Sequence, residues 1–210
     1  MKSRIFTGLN LIAAPILYLA GQILLSRWQA ATPDAIWFTS HGLLLAGAAL
    51  LIPGIFGMRT VSNRPYPVFA RWGEAVSVFG ALGLIGQFSI DLAVGLIATD
   101  QPEMVSAFRA IQSSPVMNLI FYRLPPICLF TGQLALLVSL SLALSIPGWI
   151  GAAAGLGYLL IETGVFTNNF AFFIAGFAFL ELGIVLAGAR MLTGTLSKAV
   201  PSSQGAMNGD

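Results

Sequence analysis

Six long apolar stretches, separated by short polar or proline-containing segments, run along this chain of 210 residues. A helix that crosses a bilayer needs about 20 mostly apolar residues, because each residue adds about 1.5 Å. Backbone groups in lipid have no water to bond, so each stretch is expected to be helical, and no strand-like alternation appears. The predicted spans are about 7–25, 40–58, 74–98, 117–145, 148–165 and 169–191.

The polar segment between the third and fourth spans has the pattern of a short amphipathic helix over residues 100–113. Asp100 can cap its start, and Glu103 follows at the spacing of a capping box. Met104, Phe108 and Ile111 then fall on one face. We expect this helix to lie flat in the membrane interface, with a lid over a site below it as the alternative.

Composition indicates a membrane protein. The chain is 57% hydrophobic and 9% charged, with a mean hydropathy of +0.86, whereas a soluble domain carries roughly a quarter charged residues. The predicted fold is an all-α polytopic transmembrane helix bundle of about six spans, with a short interfacial helix. Residues 1–200 form one domain, and the polar residues 201–210 are expected to be a disordered cytoplasmic tail. The net charge of +2 is too small to indicate nucleic-acid binding.

Basic residues in the predicted loops indicate the orientation. Lys and Arg concentrate in the segments that are cytoplasmic if the N-terminus is inside, as the positive-inside rule favours. Both termini are therefore expected in the cytoplasm, and the amphipathic helix outside. The apolar run 5–25 is longer than the core of a typical signal peptide, so we expect the first helix to be retained. Cleavage of that helix, or a split of the long fourth segment, would change the count to about five or seven.

Ionisable side chains inside the spans are the candidates for function, because charges in hydrocarbon are rare and costly. Asp91 and Arg123 lie at similar depths in the third and fourth spans and are predicted to form an ion pair. Glu162 lies near the outer end of the fifth span. Glu181 lies near the middle of the sixth, where it is either protonated and hydrogen-bonded to a residue such as Gln133 or part of a second site.

Small and polar residues recur at helical spacing on the third and fifth spans. They are Gly73, Ser77, Gly80, Gln87, Asp91 and Gly95 on the third, and Gly148, Gly151, Gly155, Tyr158 and Glu162 on the fifth. Such stripes are typical of helix-packing seams, and the alternative is that both stripes face a polar cavity open to the outside. The pair Pro125–Pro126 must interrupt the fourth helix, either as a simple kink or as part of a site. The ligand-binding residues predicted for the cavity are Gln22, His41, Gln87, Asp91, Arg123, Tyr158 and Glu162, with Asn168 and Asn169 at its mouth.

Several kinds of chemistry find no support in the sequence. One cysteine, Cys128, cannot form an internal disulfide, and one histidine cannot form an all-histidine metal site. Catalytic and nucleotide-binding motifs are missing. We therefore predict no catalytic residues, no metal and no cofactor.

Two stretches, residues 2–9 and 41–57, carry a likeness to known proteins. Their Gly-, Ala- and Leu-rich character, with an Arg- and Pro-containing loop after the second span, resembles small bacterial multi-pass membrane proteins of unknown function. The resemblance implies a bacterial inner membrane, and it assigns no function to any residue.

Three functions remain open from the sequence. The first is binding or transport of a small polar molecule or protons through the outer cavity. The second is a structural or accessory subunit of a larger membrane complex. The third is an enzyme acting on a lipid through a carboxylate, although no nucleophile–base pair is visible. The expected partners are membrane lipids, a small polar ligand or proton, and a membrane protein partner or second copy, with no nucleic acid.

Overall fold

A computed structural model of the protein describes residues 2–28, 32–62, 67–143, 146–167 and 169–193. Within these ranges the chain is helical, without a β-strand. The predicted tail 201–210 and the predicted mouth residue Asn168 lie outside the described residues. The helices are α1 (Lys2–Leu25), α2 (Ala35–Ser62), α3 (Pro67–Ile97), α4 (Gln101–Ser113), α5 (Pro115–Met117), a π-helical turn (Asn118–Arg123), α6 (Leu124–Leu142), α7 (Gly148–Phe166) and α8 (Phe170–Thr193).

Six of these segments are long and apolar enough to cross a membrane, which confirms the predicted all-α bundle of about six spans. The fourth span combines α5, the π turn and α6 into one segment, Pro115–Leu142. Polar groups at the helix starts account for some boundaries. Asp34 Oδ1 accepts the N–H of Trp37 at 3.0 Å, so α2 begins several residues before the predicted span.

The spanning helices form a closed ring in which each packs against its neighbours. Going round the ring, α1 packs on α2, α2 on α3, α3 on α6, α6 on α7, α7 on α8, and α8 returns to α1. Four aromatic rings from different helices meet inside it. Tyr18 stacks on Phe177 at 5.0 Å and meets Phe88 edge-on at 5.9 Å, and Phe130 lies 6.0 Å from Phe177. The aromatic centre therefore joins α1, α3, α6 and α8.

Glycines allow two pairs of helices in this ring to approach closely. On α3, a side chain at Gly80 would run into the backbone of α6 at Leu129. On α7 and α8, Gly157 and Gly176 face each other, and a Cβ on either would lie within 2.7 Å of the other's carbonyl oxygen. The stripe on α3 is thus a packing seam where it meets α6. Gly155, from the predicted stripe on α7, has open space around it instead.

Candidate functional site at the α4 end of the bundle

Three polar side chains from three helical segments meet near the end of the bundle that carries α4. His41 lies early in α2, Asp91 late in α3, and Tyr122 in the π turn. His41 Nε2 lies 3.7 Å from Asp91 Oδ2, and the Tyr122 hydroxyl donates a 3.1 Å hydrogen bond to Asp91 Oδ1. The side chain of Gln87, one turn before Asp91 on α3, lies beside the carboxylate. The side chains of His41 and Asp91 are only 3% and 8% exposed, so this His41–Asp91–Tyr122 cluster is well shielded.

The hydrogen bond of the His41 ring determines which nitrogen can exchange a proton. His41 Nδ1 lies 2.9 Å from the carbonyl oxygen of Trp37. Because a carbonyl oxygen only accepts, Nδ1 carries a hydrogen and donates it. Nε2 is then the nitrogen that gains or loses a proton, and Nε2 faces Asp91. The pair can therefore hold one mobile proton between Nε2 and Oδ2.

Arg123 stands apart from this cluster, so the predicted ion pair between Asp91 and Arg123 is wrong. The Arg123 side chain is exposed, and its Nε donates to Asn118 Oδ1 at 3.1 Å. The preceding residue, Tyr122, occupies the place beside Asp91 instead. Among the side chains that the structure describes, His41 is the one partner of Asp91 that can carry a positive charge.

The π turn explains why Tyr122, and not Arg123, lies beside Asp91. The N–H of Leu124 bonds the carbonyl of Leu119, five residues back, where an α-helix would reach four back. The turn thus holds one extra residue and changes the direction of the side chains it carries. Pro125 and Pro126 follow in the first turn of α6, and they lack the N–H groups that ordinary α-helical bonding would use there. The proline pair therefore accompanies a change of register rather than a simple kink.

α4 begins with the predicted caps. Asp100 Oδ1 accepts the N–H of Glu103 at 2.8 Å. Glu103 Oε2 in turn accepts the N–H and the hydroxyl of Thr99, at 2.7 and 2.8 Å. The predicted amphipathic helix is confirmed, with bounds Gln101–Ser113.

The apolar face of α4 covers the cluster. Met104 is buried against Trp37, Val94 and Ala98, at the ends of α2 and α3. The Trp37 ring lies 4.0 Å from the His41 ring, centroid to centroid, and Phe108 of α4 lies 6.0 Å from Trp37. α4 and Trp37 together form a roof over His41, which is the geometry that the lid alternative requires.

The structure brings together some of the seven residues predicted to bind a ligand. His41, Gln87 and Asp91 meet in the cluster. Gln22 lies beside Tyr18 on its own helix.

The remaining predicted residues lie elsewhere. Tyr158 shares a 3.2 Å hydrogen bond with Thr131, between α7 and α6. Glu162 is half-buried one turn further along α7, and α7 packs against α6 and α8. Tyr158, Glu162 and the exposed Arg123 therefore stand apart from the cluster, and a ligand-binding role for these residues stays a prediction.

Sequence reasoning missed two members of the site, Tyr122 and Trp37. Trp37 precedes His41 by one helical turn, a spacing that places its ring and its carbonyl beside the imidazole. That signal was available in the sequence. Tyr122 gave none, because its direction depends on the π turn.

A surface cavity of about 490 Å³ lies beside α4. None of the seven predicted ligand-binding residues lines it. Arg123 reaches its edge through Asn118, whose Nδ2 also donates to the carbonyl of Gln112 at 3.2 Å. The lining residues are Val105, Phe108, Arg109, Gln112, Ser113 and Asn118.

The fold and the cluster define a class: a multi-pass membrane protein with a buried ionisable cluster near one end of its bundle. The described residues contain no group of three or more His, Cys, Asp or Glu side chains placed to hold a metal ion. No family model, no curated protein and no solved structure matches the chain.

Proposed function

We propose that this membrane protein is of the transport type and takes up a proton at the His41–Asp91–Tyr122 cluster. The proton enters from the side of the membrane that α4 faces. A small polar molecule bound near α4 is the second candidate for what the protein carries or senses.

A single observation supports proton uptake: Asp91 is a buried carboxylate whose described partners include no permanent cation. With His41 neutral and Asp91 ionised, the cluster carries one uncompensated negative charge. An unpaired charge in apolar surroundings is strongly unfavourable. One added proton, on Nε2 or on the carboxylate, makes the cluster neutral overall. Binding of a proton is therefore the event that the surroundings of Asp91 favour.

The position of α4 over the cluster supports proton entry from one side of the membrane. The ring of helices encloses the cluster laterally, and Met104 of α4 packs over the ends of α2 and α3. A rigid-body movement of α4 would uncover Trp37 and then His41 without breaking a spanning helix. Loops and short helices that move in this way commonly gate buried sites.

The orientation and the location belong to the same proposal. We infer that α4 faces the outside of a bacterial inner membrane and that both termini are cytoplasmic, as the distribution of basic loop residues favours. The exposed residues Ala110 on α4 and Arg71 on α3 lie toward opposite ends of the bundle. In a Cys128→Ser background, a membrane-impermeant maleimide applied to intact cells should label Ala110→Cys and spare Arg71→Cys. The reverse result would invert the proposed orientation.

Proton uptake can be tested in reconstituted vesicles that contain a pH-sensitive dye. A potassium gradient with valinomycin supplies the driving potential. The internal pH should change faster in vesicles that contain the wild-type protein than in protein-free vesicles. Asp91→Asn should reduce this rate by about tenfold or more, because a carboxamide cannot exchange the proton. Asp34→Asn is the matched control, since Asn preserves the cap of α2. A wild-type rate equal to that of empty vesicles would refute the proposal.

The cavity beside α4 favours the second candidate. Its polar lining consists of Arg109, Gln112, Ser113 and Asn118, and it includes no acidic side chain. Such a lining suits a small molecule that is anionic or rich in hydrogen-bond acceptors. Acetate, phosphate and glutamate, tested one at a time, should then raise the melting temperature of the wild-type protein more than that of Arg109→Gln. Equal shifts in both proteins would exclude this cavity as the binding site.

A further inference from the structure

A second buried ionisable group, Glu181, lies near the middle of α8. It is about 16 Å along the helix from Phe170, and it is 4% exposed. Gln133 of α6, which is fully buried, lies beside its carboxyl group. The two side chains are within reach of each other, yet neither carboxyl oxygen of Glu181 and neither amide atom of Gln133 makes a hydrogen bond of good geometry. Buried polar groups without partners are uncommon in folded proteins.

No counter-ion for Glu181 is present among the described residues. From α1 it is faced by Tyr18, and from α6 by Gln133. The buried residues of α7 are Ile, Gly and Ala and carry no ionisable group. Arg190 lies on the same helix, but about 13 Å further along it. An ionised carboxylate at this depth in a span is strongly unfavourable, so Glu181 is built to hold a proton.

A column of buried rings joins Glu181 to the cluster at the α4 end. The His41 and Phe88 rings lie 6.5 Å apart, and Phe88 lies 5.9 Å from Tyr18. The Glu181 carboxyl lies near the Tyr18 hydroxyl, and the Gln22 side chain lies beside the same hydroxyl. Phe88 is the one apolar ring between the two ionisable groups along this path, and Tyr18 supplies a hydroxyl on its far side.

We propose that Glu181, supported by Gln133, is a second proton-binding site in series with the His41–Asp91–Tyr122 cluster. This inference rests on the proposed function. A proton that leaves Nε2 of His41 or the Asp91 carboxyl is carried past the Phe88 ring by water molecules and delivered to the Tyr18 hydroxyl oxygen. The Tyr18 O–H bond breaks as its proton forms an O–H bond with the ionised Glu181 carboxylate, and the proton delivered by water restores the Tyr18 hydroxyl. One proton is transferred, and no group is oxidised or reduced.

The vesicle experiment described above separates this inference from the proposed function. Glu181→Gln should lower the proton flux by about tenfold or more, as Asp91→Asn does. Glu103→Gln is the matched control, because Glu103 is exposed and glutamine preserves the capping box. If Asp91→Asn loses the flux and Glu181→Gln keeps it, Glu181 lies off the path and the proposed function stands. If wild-type protein shows no flux, the proposed function fails.

A chemical measurement tests Glu181 without any transport. Dicyclohexylcarbodiimide partitions into membranes and adds to protonated carboxyl groups. Mass spectrometry of peptides should find Glu181 modified in the purified wild-type protein, at a rate that falls as the pH rises. Absence of modification, or a rate independent of pH, would overturn the second site whatever the vesicles show.

Gln133→Leu provides a variant that keeps the carboxyl group, in case Glu181→Gln fails to fold. It removes the amide beside Glu181 and leaves the packing of α6 apolar. We expect Glu181 to remain reactive toward the carbodiimide in this variant, with a changed pH dependence. An unchanged pH dependence would remove Gln133 from the site.

Discussion

The Tyr122 hydroxyl in the π turn donates a 3.1 Å hydrogen bond to the Asp91 carboxylate on α3. The neighbouring Arg123 points away, to Asn118. The choice of neighbour decides the chemistry of the site. An arginine beside Asp91 would neutralise it permanently, whereas a tyrosine leaves its charge to be balanced by a proton.

Tyr122→Phe should destabilise the protein by about 1.5–3 kcal/mol, because it removes a partly buried hydrogen bond to a carboxylate. Arg123→Gln should change stability by less than about 0.5 kcal/mol, since Arg123 is exposed. Unfolding in mixed detergent micelles measures both values. A larger loss for Arg123→Gln than for Tyr122→Phe would show that the register of the π turn is different.

The ring nitrogens of His41 should behave differently from each other. Since the chain has one histidine, isotope-labelled histidine gives the nuclear magnetic resonance signals of His41 alone. Nδ1 should carry its hydrogen at every pH at which the protein is folded, because it donates to the Trp37 carbonyl, and only Nε2 should titrate. A neutral ring with its hydrogen on Nε2 would contradict the assigned tautomer. Asp91→Asn should shift the pH at which Nε2 titrates, and Asp34→Asn should not.

The lid role of α4 predicts how well His41 is protected from reagents. Diethyl pyrocarbonate acylates unprotonated imidazole, and mass spectrometry measures its reaction with His41. Met104→Ala removes buried packing worth about 2–5 kcal/mol, so the reaction should accelerate by about tenfold or more. Val105→Ala is the control on the same helix, because Val105 is 44% exposed. Equal rates in the two variants would mean that α4 does not guard the histidine.

The start of α4 should lose support in acid. The N–H of Thr99, together with its hydroxyl, stabilises the ionised Glu103 and holds the pKa of this carboxyl below its usual value. When folding lowers the pKa of a carboxyl group, its ionised form stabilises the folded state at any pH above the pKa of the unfolded state. This stabilisation is lost as the pH falls through the pKa of the folded state. The loss therefore occurs below about pH 4.3. The protection factors of the α4 amides, which correct for the intrinsic pH dependence of exchange, should fall in that range in wild-type protein, and Glu103→Gln should remove this fall.

The packing of α3 on α6 predicts different results for two glycines. In Gly80→Ala the new Cβ meets the backbone of Leu129, with Pro125 O at 2.7 Å, so backbone must move at a cost of about 1–3 kcal/mol. In Gly155→Ala nothing lies within 4 Å, and the higher helix propensity of alanine should stabilise by up to about 1 kcal/mol. Unfolding in mixed micelles measures both. Equal effects would mean that α3 and α6 are less closely packed than described.

The parts of this protein that sequence reasoning predicted depend on local patterns. Spans follow from runs of apolar residues, which the bilayer requires whatever their neighbours are. The caps of α4 follow from Asp100 and Glu103 at a fixed spacing. The sequence also indicates that His41, Asp91 and Glu181 are candidates for function, because burying an ionisable group is costly.

Which of these groups meet was decided by the tertiary structure alone. Pairing between helices depends on rotation about the helix axis, and one extra residue in the π turn is enough to replace Arg123 by Tyr122 beside Asp91. The roof over His41 likewise needed α4 to fold back onto the ends of α2 and α3. Sequence alone thus determined where the chain is apolar and which ionisable residues lie within the spans, because both depend on composition over a few turns. The contacts of those residues depend on angles and distances between helices, and no pattern within one helix specifies them.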